Sequence, residues 1–178
     1  MKILHTADIH LGIKINKLPK DKSSLMKDEI LYNLLQFFRL AEEYDVILIC
    51  GDLFHNNQVT EKIKRTFFDC VIKFAKPVIY IEGNHDEKTL LENVPENFVI
   101  LNNSNNKFYY EGINFFTNVD NGFVLKEETN ILLLHGNIEN SSDRDYIDIE
   151  KYINCGFDYI ALGHIHQYKV IKKNNTTL

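Results

Sequence analysis

An α/β fold built on two packed sheets is what this sequence predicts, and three observations carry the prediction. Short apolar runs at 2–7, 46–50 and 77–81 alternate with two stretches whose apolar residues recur at helical spacing. This βαβαβ order implies parallel strands joined by right-handed crossovers. From 97 to 135 the pattern changes to short runs separated by Asn and Gly, which predicts a second, more antiparallel sheet packed on the first. A further buried run at 158–162 follows a short helical stretch.

In order, residues 2–7 read as a strand, with Asp8-Ile9-His10-Leu11-Gly12 as the loop after it. Polar residues 13–22, including Pro19, read as a longer loop. A helix then starts at Ser23 or Ser24, either a good N-cap, and carries Ile30, Leu34 and Phe38 toward the core. The run Val46-Ile47-Leu48-Ile49-Cys50 has the length and β-branched content of a buried strand, and Gly51-Asp52-Leu53-Phe54-His55 follows it. The spacing of Ile63, Phe67, Cys70, Val71 and Phe74 predicts a helix over 60–75. The strand at 77–81 ends in Gly83-Asn84-His85-Asp86. Runs at 98–101, 108–110, 113–117 and 131–134 then read as strands of the second sheet. A helix near 146–154 and a last strand at 168–172 complete one α/β domain without repeats or linkers.

Composition narrows the class. A hydrophobic fraction of 44% and a charged fraction of 25% are those of a globular protein. A net charge of −5 argues against a chain held to nucleic acid by a broad basic surface. It leaves a nucleic-acid enzyme open, because bound divalent metals supply local positive charge. The twenty asparagines and the excess of Lys over Arg read as codon bias. Cys50, Cys70 and Cys155 form no C-x-x-C and read as reduced thiols, which points to the cytoplasm. No run approaches the ~18 apolar residues needed to span a bilayer, so no membrane is expected as a partner.

The chemistry lies after the strands. Asp8 and His10, then Asp52, Asn84 and His85, His135, and finally His164 and His166 all follow a buried run. Carboxyl ends of parallel strands are where open α/β sheets bind ligands. In an extended segment, residues i and i+2 face the same side about 6–7 Å apart, so Asp8 and His10 are expected to converge on one ion. Two-metal hydrolytic sites hold ions about 3.5–4 Å apart, a distance one carboxylate bridges. Imidazole with carboxylate and amide oxygen, without thiolate, suits Mn, Fe, Co or Zn rather than a structural zinc site.

Asp8-x-His10, Gly51-Asp52, Gly83-Asn84-His85-Asp86, His135-Gly136 and Gly163-His164-x-His166 resemble, in order, the five motifs of calcineurin-like metallophosphoesterases. The wording around them, from His5-Thr6-Ala7-Asp8 to Ala161-Leu162-Gly163-His164-Ile165-His166, is similar to SbcD-type repair nucleases. That resemblance implies a sandwich of two mixed sheets flanked by helices. It implies that Asp8, His10, Asp52 and His166 hold one ion and that Asp52, Asn84, His135 and His164 hold the other. It also implies manganese as the metal, with Fe, Co, Zn or Mg as the other candidates. His85 becomes the group that contacts the phosphate and protonates the leaving oxygen, a task suited to imidazole.

The implied function is a two-metal phosphodiesterase hydrolysing DNA, as exonuclease and single-strand endonuclease. The implied partners are DNA, a second copy of the chain and an SbcC-like coiled-coil ATPase. A small-molecule phosphodiesterase or phosphatase on the same scaffold is the alternative, and a non-catalytic binding module is a third reading. Residues 1–178 read as the nuclease domain, lacking the capping and partner-binding regions such nucleases carry. Six residues keep two readings each. His55 is a substrate contact or a solvated loop histidine, and Asp86 orients His85 or forms the turn. The Tyr109-Tyr110 and Phe115-Phe116 pairs read as base-stacking platforms or, since strands alternate faces, more simply as pairs with one residue in the core. His5, inside the first strand, reads as a hydrogen-bonded structural histidine.

Overall fold

The alternation of side chains along each strand sorts the apolar residues into three layers. In β2 (Val46–Cys50) every residue is buried. Ile47 and Ile49 face one way and join Leu34, Phe38, Phe67, Val71 and Phe74 in a helix-side core. Val46, Leu48 and Cys50 face the other way and meet Phe115, Ile131, Leu133 and Ala161 of a second sheet. That second sheet repeats the division, since Leu132, Leu134 and Ile160 point outward to Ile149, Ile153 and Phe157. Two sheets with flanking helices follow, and side chains such as Leu48 or Leu133 each contribute about 1.5–3 kcal/mol by burial. The structure is a computed structural model that describes residues 1–13, 20–55, 59–86, 91–119 and 128–178.

The first sheet runs β1 (Ile3–Thr6), β2, β3 (Val78–Ile81) and β4 (Phe98–Leu101) in that spatial order, all parallel. The second holds β5 (Lys107–Tyr110), β6 (Ile113–Phe116), β7 (Thr129–His135), β8 (Tyr159–Gly163), β10 (Thr176–Thr177) and β9 (Lys172–Lys173), again in spatial order. Two expectations change here. Residues 98–101 belong to the first sheet, paired parallel to β3, and not to the second. The second sheet is parallel from β6 through β7 and β8 to β10, with antiparallel pairs only at its two ends. The β5–β6 hairpin does match its signal, because Glu111 and Gly112 both have positive φ (45° and 86°), as a two-residue type I′ turn requires.

The helices differ from expectation mainly at their ends. Within the described residues α1 spans Lys20–Ala41, so neither Ser23 nor Ser24 caps it. Of the loop expected at 13–22, residues 14–19 lie outside the described residues and 20–22 are helical. Helix α2 is Glu61–Phe74, with Thr60 accepting from the Ile63 N–H as N-cap and Ala75 left-handed as C-cap. Helix α3 is shorter than expected, Glu150–Ile153. The strand expected at 168–172 appears as the β9–β10 pair further on. Among the described residues no helix is long and apolar enough to cross a membrane.

Candidate metal centre

Register brings the strand ends together. Thr6 lies beside Ile49, Cys50 beside Ile81, and His135 beside Gly163. Where β1 and β2 end, the chain keeps pairing through irregular bonds: Asp8 N to Gly51 O at 3.0 Å, His10 N to Asp52 O at 2.9 Å, and His55 N to Leu11 O at 2.9 Å. The two sheets touch at this rim. A Cβ on Gly163 would land on the Cys50 carbonyl, and one on Gly51 would land on the His135 ring. Glycine at these two positions lets the second sheet deliver its histidines to the first.

The convergence of Asp8 and His10 has a different cause from the one the sequence suggests. Both residues are left-handed (φ 55° and 49°), not extended, and Asp52 and His164 share that region (φ 53° and 94°). Left-handed backbone at four non-glycine residues with chemistry to perform is stored strain of the kind functional sites carry. The ladder of bonds just described holds it in place.

All seven residues expected as metal ligands meet at this rim. Ligand atoms of Asp8, His10 and His166 lie within 4.8 Å of one another, and so do those of Asp8, Asp52 and His135. Asp52 is 2% exposed. Its Oδ1 accepts from the His85 N–H at 2.9 Å, while its Oδ2 stands 3.6 Å from both His10 Nε2 and His135 Nε2. His166 Nε2 lies 3.5 Å from Asp8 Oδ1 and 3.4 Å from His10 Nε2. Asp8 also accepts from the His164 N–H at 3.0 Å. Burial holds the His10 imidazole below its usual pKa against the pull of Asp52, and His166, His85 and His55 lower it further. A ring kept neutral in this way keeps a lone pair for a cation.

His135 tests whether a metal fits. Its Nδ1 lies 2.8 Å from the Cys50 carbonyl, which can only accept, so Nδ1 donates there and Nε2 is the nitrogen turned to the site. That Nε2 is 3.0 Å from Asn84 Oδ1, and Asn84 Oδ1 is 3.3 Å from His164 Nδ1. Asn84 Oδ1, Asp52 Oδ2 and the imidazole nitrogens thus converge on one place, an arrangement that suits a divalent cation. The oxygen and imidazole donors fit such an ion, and the Cys50 thiol stays in the core between the sheets.

The remaining residues separate by contact. His85 stacks on His55 (ring centroids 5.2 Å apart, 19° between planes) and meets His10 edge-on. His55 is not a free loop histidine, since its Nδ1 lies 3.3 Å from His10 Nδ1. The Asp86 carboxylate accepts from the backbone N–H groups of Leu53 (3.2 Å), Phe54 (2.8 Å) and Gly83 (3.0 Å). It braces two strand-end loops against each other, beyond the single turn considered from sequence. His5 bonds the Tyr159 hydroxyl at 2.8 Å, the structural role expected. Phe115 and Phe116 are both core, whereas Tyr109 is exposed on β5 and Tyr110 stacks on Phe108. Asp143, 3.9 Å from His164 Nε2, escaped the sequence reading because it sits in a polar turn with no motif around it.

A family model described as calcineurin-like phosphoesterase matches residues 1–168. Two relatives are named as the SbcD component of the nuclease SbcCD. That of Staphylococcus saprophyticus is 37% identical over 97 residues, covering 51% of this chain and 24% of the relative. That of Staphylococcus epidermidis is 28% identical over 221 aligned residues, covering 93% of this chain and 57% of the relative. The chain thus spans at most 57% of the length of either. The crystal structure of Pseudomonas putida nuclease MPE is similar at a TM-score of 0.41 and 18% identity, over 73% of this chain and 59% of that one. On a model match that runs through all five clusters, the chain belongs to the calcineurin-like phosphoesterase family.

Proposed function

We propose that this chain is the catalytic domain of a two-metal phosphodiesterase that hydrolyses DNA in the cytoplasm. The observation that carries the reading is the convergence of carboxylate, amide and imidazole ligand atoms around Asp52 and Asn84. Asp8, His10, Asp52 and His166 hold one ion, and Asp52, Asn84, His135 and His164 hold the other, manganese in both. Ions bound there lend Lewis acidity to the phosphoryl oxygens and lower the pKa of water. The chain's own residues do the rest. The His85 backbone N–H holds Asp52 Oδ1, which fixes the plane of the bridging carboxylate. The His85 ring, stacked on His55 at the lip of the centre, carries the proton for the leaving oxygen, and His55 meets the substrate beside it. The names of the curated relatives support a nuclease and a second kind of SbcCD subunit as partner, while DNA as the substrate and a coiled-coil ATPase as that partner rest on the motif resemblance. A second copy of the chain as partner rests on the motif resemblance.

One observation favours a second reading. A net charge of −5 offers no broad basic surface to a polyanion, which suits a small phosphodiester or phosphomonoester. Rates on single-stranded DNA, bis-p-nitrophenyl phosphate and a phosphomonoester, each with manganese, separate the two. The DNA reading expects cleavage of DNA that Asp52→Ala abolishes. Manganese-loaded protein that cuts the small diester and leaves every DNA substrate intact overturns it.

A further inference from the structure

Segment 137–147, which no motif contains, folds back over the end of β7 and reaches the metal centre. Asn137 and Ile147 exchange backbone bonds with the returning strand: Asn137 N to Asp145 O at 2.9 Å and Ile147 N to Asn137 O at 2.8 Å. Gly136 permits this, since a Cβ there would strike the Asp145 carbonyl and the Ile147 side chain. The Asn137 side chain is 8% exposed and works at both ends. Its Oδ1 accepts from Glu139 N and Asn140 N, and its Nδ2 donates to Asp143 Oδ2 at 3.0 Å. Asp143 Oδ1 accepts from Asp145 N at 2.9 Å. The Asp145 N–H and the Asn137 amide thus hold the two Asp143 oxygens in place.

This braced carboxylate stands 3.9 Å from His164 Nε2, at ion-pair range, while the other ring nitrogen, Nδ1, faces Asn84 Oδ1 at 3.3 Å. The arrangement mirrors His135 across the same Asn84, with the Cys50 carbonyl in the role of Asp143. We propose that Asp143 is a positioning residue: it holds the proton of His164 on Nε2, so that the Nδ1 lone pair points at the ion shared with Asn84 and His135. Asp143, Asp145 and His164 lie close enough together to suggest a third ion. The Asp143 oxygens accept from Asp145 N and Asn137 Nδ2, which fixes the carboxylate toward His164 as an orienting group instead. A carboxylate behind a ligating imidazole fixes its tautomer and raises its basicity, and loss of such a group typically costs about 10–100-fold in metal affinity.

This inference rests on the two-metal reading, and calorimetric titration of the full chain with manganese tests both. Wild type is expected to bind two ions, and Asp143→Asn to bind one of them about 10–100-fold more weakly with the other unchanged. Asp143→Glu recovers part of the loss. Nitrogen-15 spectra of the metal-free wild type are expected to show the His164 proton on Nε2, and Asp143→Asn to show it redistributed toward Nδ1. Affinities within about threefold of wild type for both ions, or a wild-type His164 protonated mainly on Nδ1, overturn the inference. A loss of thermal stability alone would make Asp143 only a turn residue and overturn it too. Should the variants fail to fold, the wild-type tautomer still decides. Fewer than two ions on wild type defeats the two-metal reading, whatever the His164 tautomer.

Discussion

At the residue scale, imidazole protonation governs how this molecule responds to pH. His5 lies within β1 behind the metal centre, bonded to Tyr159, and burial holds its pKa below the usual 6.5. As pH falls through about 6.5 the unfolded chain takes up a proton that the folded chain refuses until lower pH. Stability from the neutral ring is therefore fully present above about 6.5 and lost as the pH falls through the window below it. His5→Gln should flatten the dependence of thermal midpoint on pH between about 7 and 5, measured in chelator. An unchanged slope would show that folding leaves the His5 pKa where it is in the unfolded chain. Burial acts in the same direction on His10, for a different purpose. His10 is kept neutral so that it can offer a lone pair, and the left-handed backbone at Asp8, His10, Asp52 and His164 sets the directions in which the donors point. That strain costs on the order of 1–3 kcal/mol per residue and must be held by its surroundings.

The holding is done at the scale of elements. The loop after β2 and the loop after β3 carry Asp52 and Asn84, and Asp86 ties them through three backbone N–H groups. Leu53 and Phe54 are buried (0% and 1% exposed), so their N–H groups have no water to replace a lost carboxylate. Asp86→Ala is expected to cost about 2–3 kcal/mol in urea unfolding, with Asp86→Asn, which keeps one acceptor oxygen, losing less. A change under about 0.5 kcal/mol for the alanine variant, the range of ordinary surface substitutions, would reject the bracing role. Strand boundaries were legible where burial was complete, as at 46–50, because an apolar run closed by Asp45 and Gly51 leaves no choice. Partners were not legible. Residues 98–101 have the same short apolar character as 113–116, and local sequence does not say which sheet receives them. Asn and Gly between the later runs read as hairpins, yet among the described residues only Glu111-Gly112 shows the two positive φ values of a tight turn between long paired strands.

At the scale of the whole molecule, two sheets bring donors together from residues 8 to 166 of the chain. In the folded state carboxylate, amide and imidazole ligand atoms from both sheets converge at 3.0–3.6 Å. Ligands that bind only the folded state stabilise it by mass action, about 2.7 kcal/mol per site at about a hundred times the dissociation constant. The thermal midpoint should accordingly rise with manganese concentration and fall back on chelation. Asp52→Ala should show little of this rise, and a midpoint indifferent to manganese in the wild type would count against the two-metal centre.

The sequence by itself determined the donors and the strand ends that carry them, because side-chain chemistry and burial pattern are local properties that a run such as Ile49-Cys50-Gly51-Asp52 displays in full. It also determined an α/β fold with two sheets, since periodicity of about two and of about 3.6 can be read residue by residue. Only the tertiary structure decided the parallel order of the second sheet, the left-handed turn that converges Asp8 and His10, the brace at Asp86 and the approach of Asp143 to His164. The reason is physical: each of these depends on contacts between segments far apart in sequence, and neither segment signals its partner until both sheets are packed.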